Sequence, residues 1–190
     1  MRRLGPLGVE YDDTSAGEIA RVSHDTFAVC FTFAREGSSL IAEQTARFDW
    51  ADPELQRADY FLTLDGRSGF AVTSSDRLVY VFSLERGRGD ALVAKAVEAG
   101  ATSLDCFDGR LVDLYRRYGF AEYRRVANHW VGEPDVVYMR RPVECVHCAR
   151  QVVPDEHGGY VDLEATGDDS IWREVCDANH NDRVAAHEQA

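Results

Sequence analysis

The sequence predicts an α/β (α+β) protein: a mixed sheet centred on a strand–turn–helix–strand unit, followed by a small cysteine-bearing tail. Three observations carry that expectation. The run Val79, Tyr80, Val81, Phe82, Ser83, Leu84 is β-branched and aromatic enough for a buried strand. Arg86-Gly87-Arg88-Gly89-Asp90-Ala91 follows, two glycines opening a helical pattern that begins near Asp90. After Pro142 the composition turns acidic and cysteine-bearing, in a stretch too short for a core of its own.

Taken in order, residues 1–24 are polar, with a short helix expected around residues 15–23. Thr26-Phe27-Ala28-Val29-Cys30-Phe31-Thr32-Phe33 reads as a strand, and residues 40–48 as a helix. Residues 52–64 are ambiguous until Tyr60-Phe61-Leu62-Thr63-Leu64, which reads as a strand. Residues 69–73 and 78–84 flank Ser74-Ser75-Asp76 as a hairpin. The helix from Asp90 puts Leu92, Val93, Ala96 and Val97 on one face, and Gly100 stands where a C-cap glycine belongs. Residues 103–107 form the next strand, and a connection through a helix suits parallel pairing with the strand before it. Leu111, Leu114, Tyr115 and Tyr118 keep helical spacing up to Gly119, and residues 121–126 and 135–140 read as two more strands.

Composition narrows the function classes. The chain of 190 residues is 45% hydrophobic, enough for one good-sized core. With no membrane-length apolar stretch and no secretory leader, a cytoplasmic protein is expected. A net charge of −12 argues against nonspecific nucleic-acid binding and favours cationic ligands, amines among them. Cys30 and Cys106 sit in apolar runs as small buried hydrophobes. Cys145, Cys148 and Cys176 crowd the last quarter, a spacing that points to metal before disulfides.

Strand, glycine turn and helix N-terminus together make a phosphate cradle, because unpaired N–H groups and the positive dipole end meet there. The residues 86–91 satisfy the pattern Q/R-x-x-G-x-G/A. About two dozen residues on, Leu114-Tyr115-Arg116-Arg117-Tyr118-Gly119-Phe120 supplies a Y-x-x-x-G-F helix end. Over about residues 68–140 the chain resembles the GNAT family, the Gcn5-related N-acetyltransferases. That resemblance implies a mostly antiparallel GNAT-like sheet in residues 1–141, with acetyl-CoA as cosubstrate. It implies that N–H groups around Gly87, Arg88, Gly89, Asp90 and Ala91 hold the pyrophosphate, with Arg86 and Arg88 adding charge. The strand carrying Val81, Phe82, Ser83 and Leu84 would diverge from strand 103–107, and its opened edge would bond pantetheine. Tyr115 matches the family's general acid on the departing thiolate, against a plain packing role on an apolar helix face. Glu85 is the first candidate for deprotonating the amine; Asp105 and His129 stand beside it.

In residues 142–190, Cys145-Val146-His147-Cys148 is a C-x-x-C knuckle. The pieces Cys145, Cys148, Tyr160, Thr166-Gly167-Asp168, Cys176 and His187-Glu188 resemble small C-terminal zinc-ribbon-like modules. The resemblance implies a structural Zn(2+) held by Cys145, Cys148, Cys176 and His187, with His180 the alternative fourth ligand. The leading expectation is therefore transfer of an acetyl or larger acyl group from CoA to an amine, small or protein-borne. The second is a GNAT-like scaffold without turnover that binds CoA or a protein partner, the tail being an interaction module. A nucleic-acid role conflicts with the acidic balance. GNAT-like proteins are often dimers, so a homodimer is among the expected assemblies.

Overall fold

The computed structural model describes residues 2–128, 132–144, 151–154 and 160–162. In chain order the elements are β1 (Arg3–Leu4), β2 (Glu10–Tyr11), β3 (Ile19–Val22), α1 (His24–Gly37), α2 (Ser39–Gln44), α3 (Pro53–Gln56), β4 (Asp59–Thr63), β5 (Ser68–Val72) and β6 (Leu78–Ser83). There follow α4 (Gly89–Glu98), β7 (Ser103–Phe107), α5 (Arg110–Arg116), β8 (Ala121–Val126) and β9 (Val136–Arg140). Last come β10 (Val143–Glu144), β11 (Gln151–Pro154) and β12 (Tyr160–Asp162). The result is a mixed α+β fold with antiparallel sheets. Among the described residues no helix is long and apolar enough to cross a membrane.

The antiparallel sheet β3-β4-β5-β6 is covered on both faces. Its strands alternate between two cores: Tyr60 and Leu62 of β4 join Phe27, Phe31 and Ala34 of α1 on one face. Phe61 of β4 and Phe70 of β5 join Leu92, Val93 and Ala96 of α4 on the other. This double burial explains why β4 is a continuous apolar run and not an alternating one. A second antiparallel sheet, β7-β9-β8, closes the α4–α5 side through Leu104, Val137 and Met139. A third, β10-β11-β12, is an antiparallel meander.

Two expectations for the N-terminal half are corrected. Residues 26–33 are helical, not extended. Ser23 caps α1 by accepting the Thr26 N–H at 3.2 Å, and Phe27, Ala28, Phe31 and Ala34 are buried at helical spacing. A strand of period two would have buried Val29 and Phe33 with Phe27 and Phe31, yet those two are 65% and 70% exposed. Residues 15–23 are not a helix. The Asp12 carboxylate accepts the N–H groups of Thr14 and Ser15, turning the chain into β3. The expected helix at 40–48 is present as the shorter α2, capped by Ser38.

The strand–helix–strand unit is built as expected, with one qualification about pairing. Among the described residues the only parallel bridge on this side joins Arg77, just before β6, to Ser103 of β7, while the other edge of β7 pairs with β9, antiparallel. From that bridge the two strands part. Gly100, at φ +97°, ends α4, and Gly119, at φ +82°, ends α5, both in the left-handed region that suits glycine.

Candidate active site

The parting of β6 from β7 opens a cleft of about 400 Å³. One wall is β6 from Leu78 to Ser83 and the other is Asp105, Cys106 and Phe107 of β7. Gly89 and Leu92 of α4 and Leu114 and Tyr115 of α5 line it from the helical side, and residues of α2 and α3 close the remaining side.

β6 carries a bulge where it borders the cleft. Ala71 of β5 faces Val79 and Gly69 faces Phe82, so two residues of β6 stand opposite Phe70 alone. Tyr80 takes φ +53°, a costly conformation for a bulky residue. Because of the extra residue Val79 and Tyr80 both pack toward α1, and Val81 returns to the α4 side. Tyr80 is held there by Phe31 and Phe48, with ring centroids 5.0 and 5.2 Å away.

The glycine turn follows directly. Gly87 has φ +84°, and α4 starts at Gly89 with Arg88 as its N-cap. The first helical bond runs from the Leu92 N–H to the Arg88 carbonyl at 3.0 Å. No acceptor for the N–H groups of Gly87, Arg88, Gly89, Asp90 or Ala91 is found among the described residues. These adjacent donors lie at a helix N-terminus, and among the described residues none has an acceptor at normal hydrogen-bond geometry. Arg86 is exposed and has no ion pair among the described residues. Arg88, expected to add charge, instead forms a two-pronged pair with Asp65 at 2.9 and 2.7 Å. The Asp90 carboxylate is turned aside to Arg117 and the Tyr118 hydroxyl, at 2.8 and 3.0 Å, and these bonds hold it below the usual carboxylate range.

Tyr115 is 4% exposed, with its ring edge-on to Phe120, and it lines the cleft beside Cys106. Burial, then the nearby Cys106 and Asp105, push its phenol well above the ordinary tyrosine value, so it carries its proton. Cys106 is likewise pushed up to about 12, by burial first and then by Asp105 and Asp108. Glu85 lies at the end of β6, where Arg67 pairs with it at 2.7 Å, and it is not among the residues lining the cleft. Asp105 does line it, in an ion pair with Arg77.

Sequence reasoning missed the wall made by residues 40–55, which brings Asp52 and Glu54 to the cleft. The one available signal was Asp52-Pro53, a capping residue before a proline at N1. Hydrogen bonds from Ser75 and Thr73, aided by Arg77, outweigh burial and hold the Glu54 carboxyl below its ordinary value. His129, Cys145, Cys148, Cys176, His180 and His187 lie outside the described residues. Among the described residues no group of three or more His, Cys, Asp or Glu side chains is placed to hold a metal.

No family model and no curated protein matches the chain. Solved structures that resemble it include the following two. One is a Klebsiella pneumoniae protein assigned as an acyl-CoA N-acyltransferase, at 18% identity and TM-score 0.41, covering 65% of this chain and 94% of its own. The other is Ard1 from Thermoplasma volcanium, at 15% identity and TM-score 0.39, covering 65% of this chain and 95% of its own. At such TM-scores neither likeness carries the assignment that follows.

Proposed function

We propose that the chain is a GNAT-like acyltransferase that moves an acetyl or larger acyl group from CoA to an amine. The observation that carries this reading is the junction of the β6–β7 cleft with the free N–H groups of residues 87–91. A thioester lying along the unpaired edge of β6 would place its pyrophosphate on those donors and on Arg86. The cleft then receives the acyl group, and the carboxylates of Asp52 and Glu54 face an incoming amine.

The chemistry is direct attack. The neutral amine nitrogen adds to the thioester carbonyl, the C–S bond breaks, and the proton lost from nitrogen goes to a base, directly or through water. Tyr115, kept protonated by burial, donates its O–H proton to the departing thiolate. Of the carboxylates named from sequence, Asp105 lines the cleft and Glu85 does not, so we assign amine deprotonation to Asp105. Glu54, held ionised by its donors, suits pairing with a cation. Asp105→Asn should lower kcat, and Glu85→Gln should leave it unchanged.

The tail's zinc set, Cys145, Cys148, Cys176 and His187, belongs to the same proposal as a structural site. Its support is donor chemistry, three thiolates and an imidazole, and the antiparallel pairing of β10 with β11 on either side of Cys145 and Cys148. Native mass spectrometry should find one zinc per chain, lost on chelation.

The test of the main reading is thermal. Acetyl-CoA at a hundredfold over Kd stabilises by about 2.7 kcal/mol, raising Tm by roughly 5–10 °C in a domain of this size. CoA release with a panel of amines then separates an enzyme from a scaffold that only binds. No shift at millimolar acetyl-CoA removes both readings.

A further inference from the structure

Arg88 stands inside the glycine turn, yet its side chain runs back into the protein. Its Nη1 donates to Asp65 Oδ1 at 2.9 Å and its Nη2 to Asp65 Oδ2 at 2.7 Å. Nη1 also reaches Ser68 Oγ at 3.3 Å and Thr63 Oγ1 at 3.4 Å. The side chains are only 5% exposed for Asp65 and 21% for Arg88. Asp65 is itself fixed in the β4–β5 turn, accepting from Thr63 Oγ1 at 2.6 Å and from the Arg67 N–H at 3.0 Å. The entry to the glycine turn is tied to the same hairpin. Ser68 Oγ lies 2.8 Å from Ser83 Oγ, which donates to the Glu85 carbonyl at 2.6 Å and accepts the Glu85 N–H at 3.1 Å.

Glu85 and Arg88, the two ends of the turn, are therefore anchored to β4 and β5, and Arg86 and Gly87 between them are exposed. A glycine-containing turn left free would lose more conformational entropy on closing around a ligand. An arginine swung out to a phosphate would leave the buried Asp65 carboxylate unpaired, which is costly. We propose that Asp65 is a positioning residue for the acyl-CoA pyrophosphate. It locks Arg88, and through it the N–H groups of residues 87–91, in the conformation that receives phosphate. Arg88 on this account is a strut and not a phosphate ligand. The inference rests on the acyl-CoA reading above.

The two roles for Arg88 predict opposite outcomes. If Arg88 bound phosphate, Asp65→Asn would remove a competing carboxylate, and acetyl-CoA would bind as tightly as before or more tightly. If Asp65 positions the turn, the same variant weakens acetyl-CoA on the order of tenfold, the scale of losing charge-assisted alignment. The experiment is calorimetric titration of the full chain with acetyl-CoA and with S-acetylpantetheine, which keeps the thioester and amides but lacks the pyrophosphate. Asp65→Asn should weaken the first donor and leave the second unchanged, with a cooperative melt confirming the fold. Arg88→Lys, which keeps the charge and loses the fork, should behave alike and serves if Asp65→Asn does not fold. Undiminished acetyl-CoA binding by the variants overturns the inference. Equal loss for both donors also overturns it, since the pair would then hold up the fold at large. If the wild-type chain binds no acetyl-CoA, the parent reading fails and this one with it.

Discussion

Tyr115 illustrates how one burial event can serve packing and, on the proposed reading, chemistry as well. Its ring belongs to the α4–α5 core, and the same desolvation that packs it raises its phenol far above neutrality. Tyr115→Phe should lower kcat by about 10²–10⁴-fold, the usual contribution of a positioned acid, with acetyl-CoA affinity retained. Because the raised value favours the protonated form, the kcat profile should show no alkaline loss from Tyr115 up to about pH 10. A limb below pH 9 that disappears in Tyr115→Phe would contradict the assignment. Cys106, pushed up to about 12, should resist iodoacetamide at pH 8, read by mass spectrometry of the folded chain. Asp65 gives a pH signature of the opposite sign. Burial alone would raise its carboxyl, but the bonds from Arg88, Thr63 and the Arg67 N–H outweigh it and hold it below the usual range. Its stabilisation is complete above the unfolded value of about 3.9 and is lost as pH falls through the lower folded value. Asp65→Asn should therefore flatten the acid limb of urea midpoints plotted against pH. It should also cost about 2–3 kcal/mol at neutral pH, below the full price of a buried pair because Arg88 stays partly solvated.

Among the elements, α1 separates what the sequence displays from what it hides. Residues 26–33 are rich in β-branched and aromatic side chains, so local propensity points to a strand. The deciding information is periodic: Phe27, Phe31 and Ala34 share one face, and Ser23 caps the start. Phe31→Ala should cost about 3–5 kcal/mol in chemical denaturation and Phe33→Ala nearly nothing, whereas a strand would make the two alike. Gly69 is constrained by its neighbours: a Cβ there would lie 2.5 Å from the Phe61 carbonyl oxygen. Gly69→Ala should destabilise by about 1–3 kcal/mol. By contrast β4, β5, β6, α4 and α5 were legible, because each combines a strong apolar pattern with an explicit stop. Gly100 and Gly119 mark the helix ends, and Ser74, Ser75 and Asp76 the hairpin turn. A helix near residues 40–48 was legible, but the placing of residues 40–55 as a wall of the cleft was not. Its helices are short, and its place against the cleft depends on contacts with β6 that no local pattern announces.

For the whole molecule, the proposed function depends on two strands that part after a single bridge. The glycine turn could be read from sequence as a phosphate cradle, since a strand, two glycines and a helix start are all local features. The cleft beside it could only be anticipated through a family resemblance, because the single bridge between Arg77 and Ser103, after which β6 and β7 part, is a long-range arrangement that no local pattern announces. The bulge at Tyr80 and the Arg88–Asp65 pair were likewise invisible, each being a long-range arrangement of ordinary residues. The central claim is that the turn at residues 86–91 and the edge of β6 together bind acyl-CoA. Amide hydrogen exchange of the full chain, with and without saturating acetyl-CoA, tests it most directly. The account predicts protection concentrated at residues 81–84 and 87–91. Unchanged exchange there, whether acetyl-CoA protects some other segment or none, would contradict it.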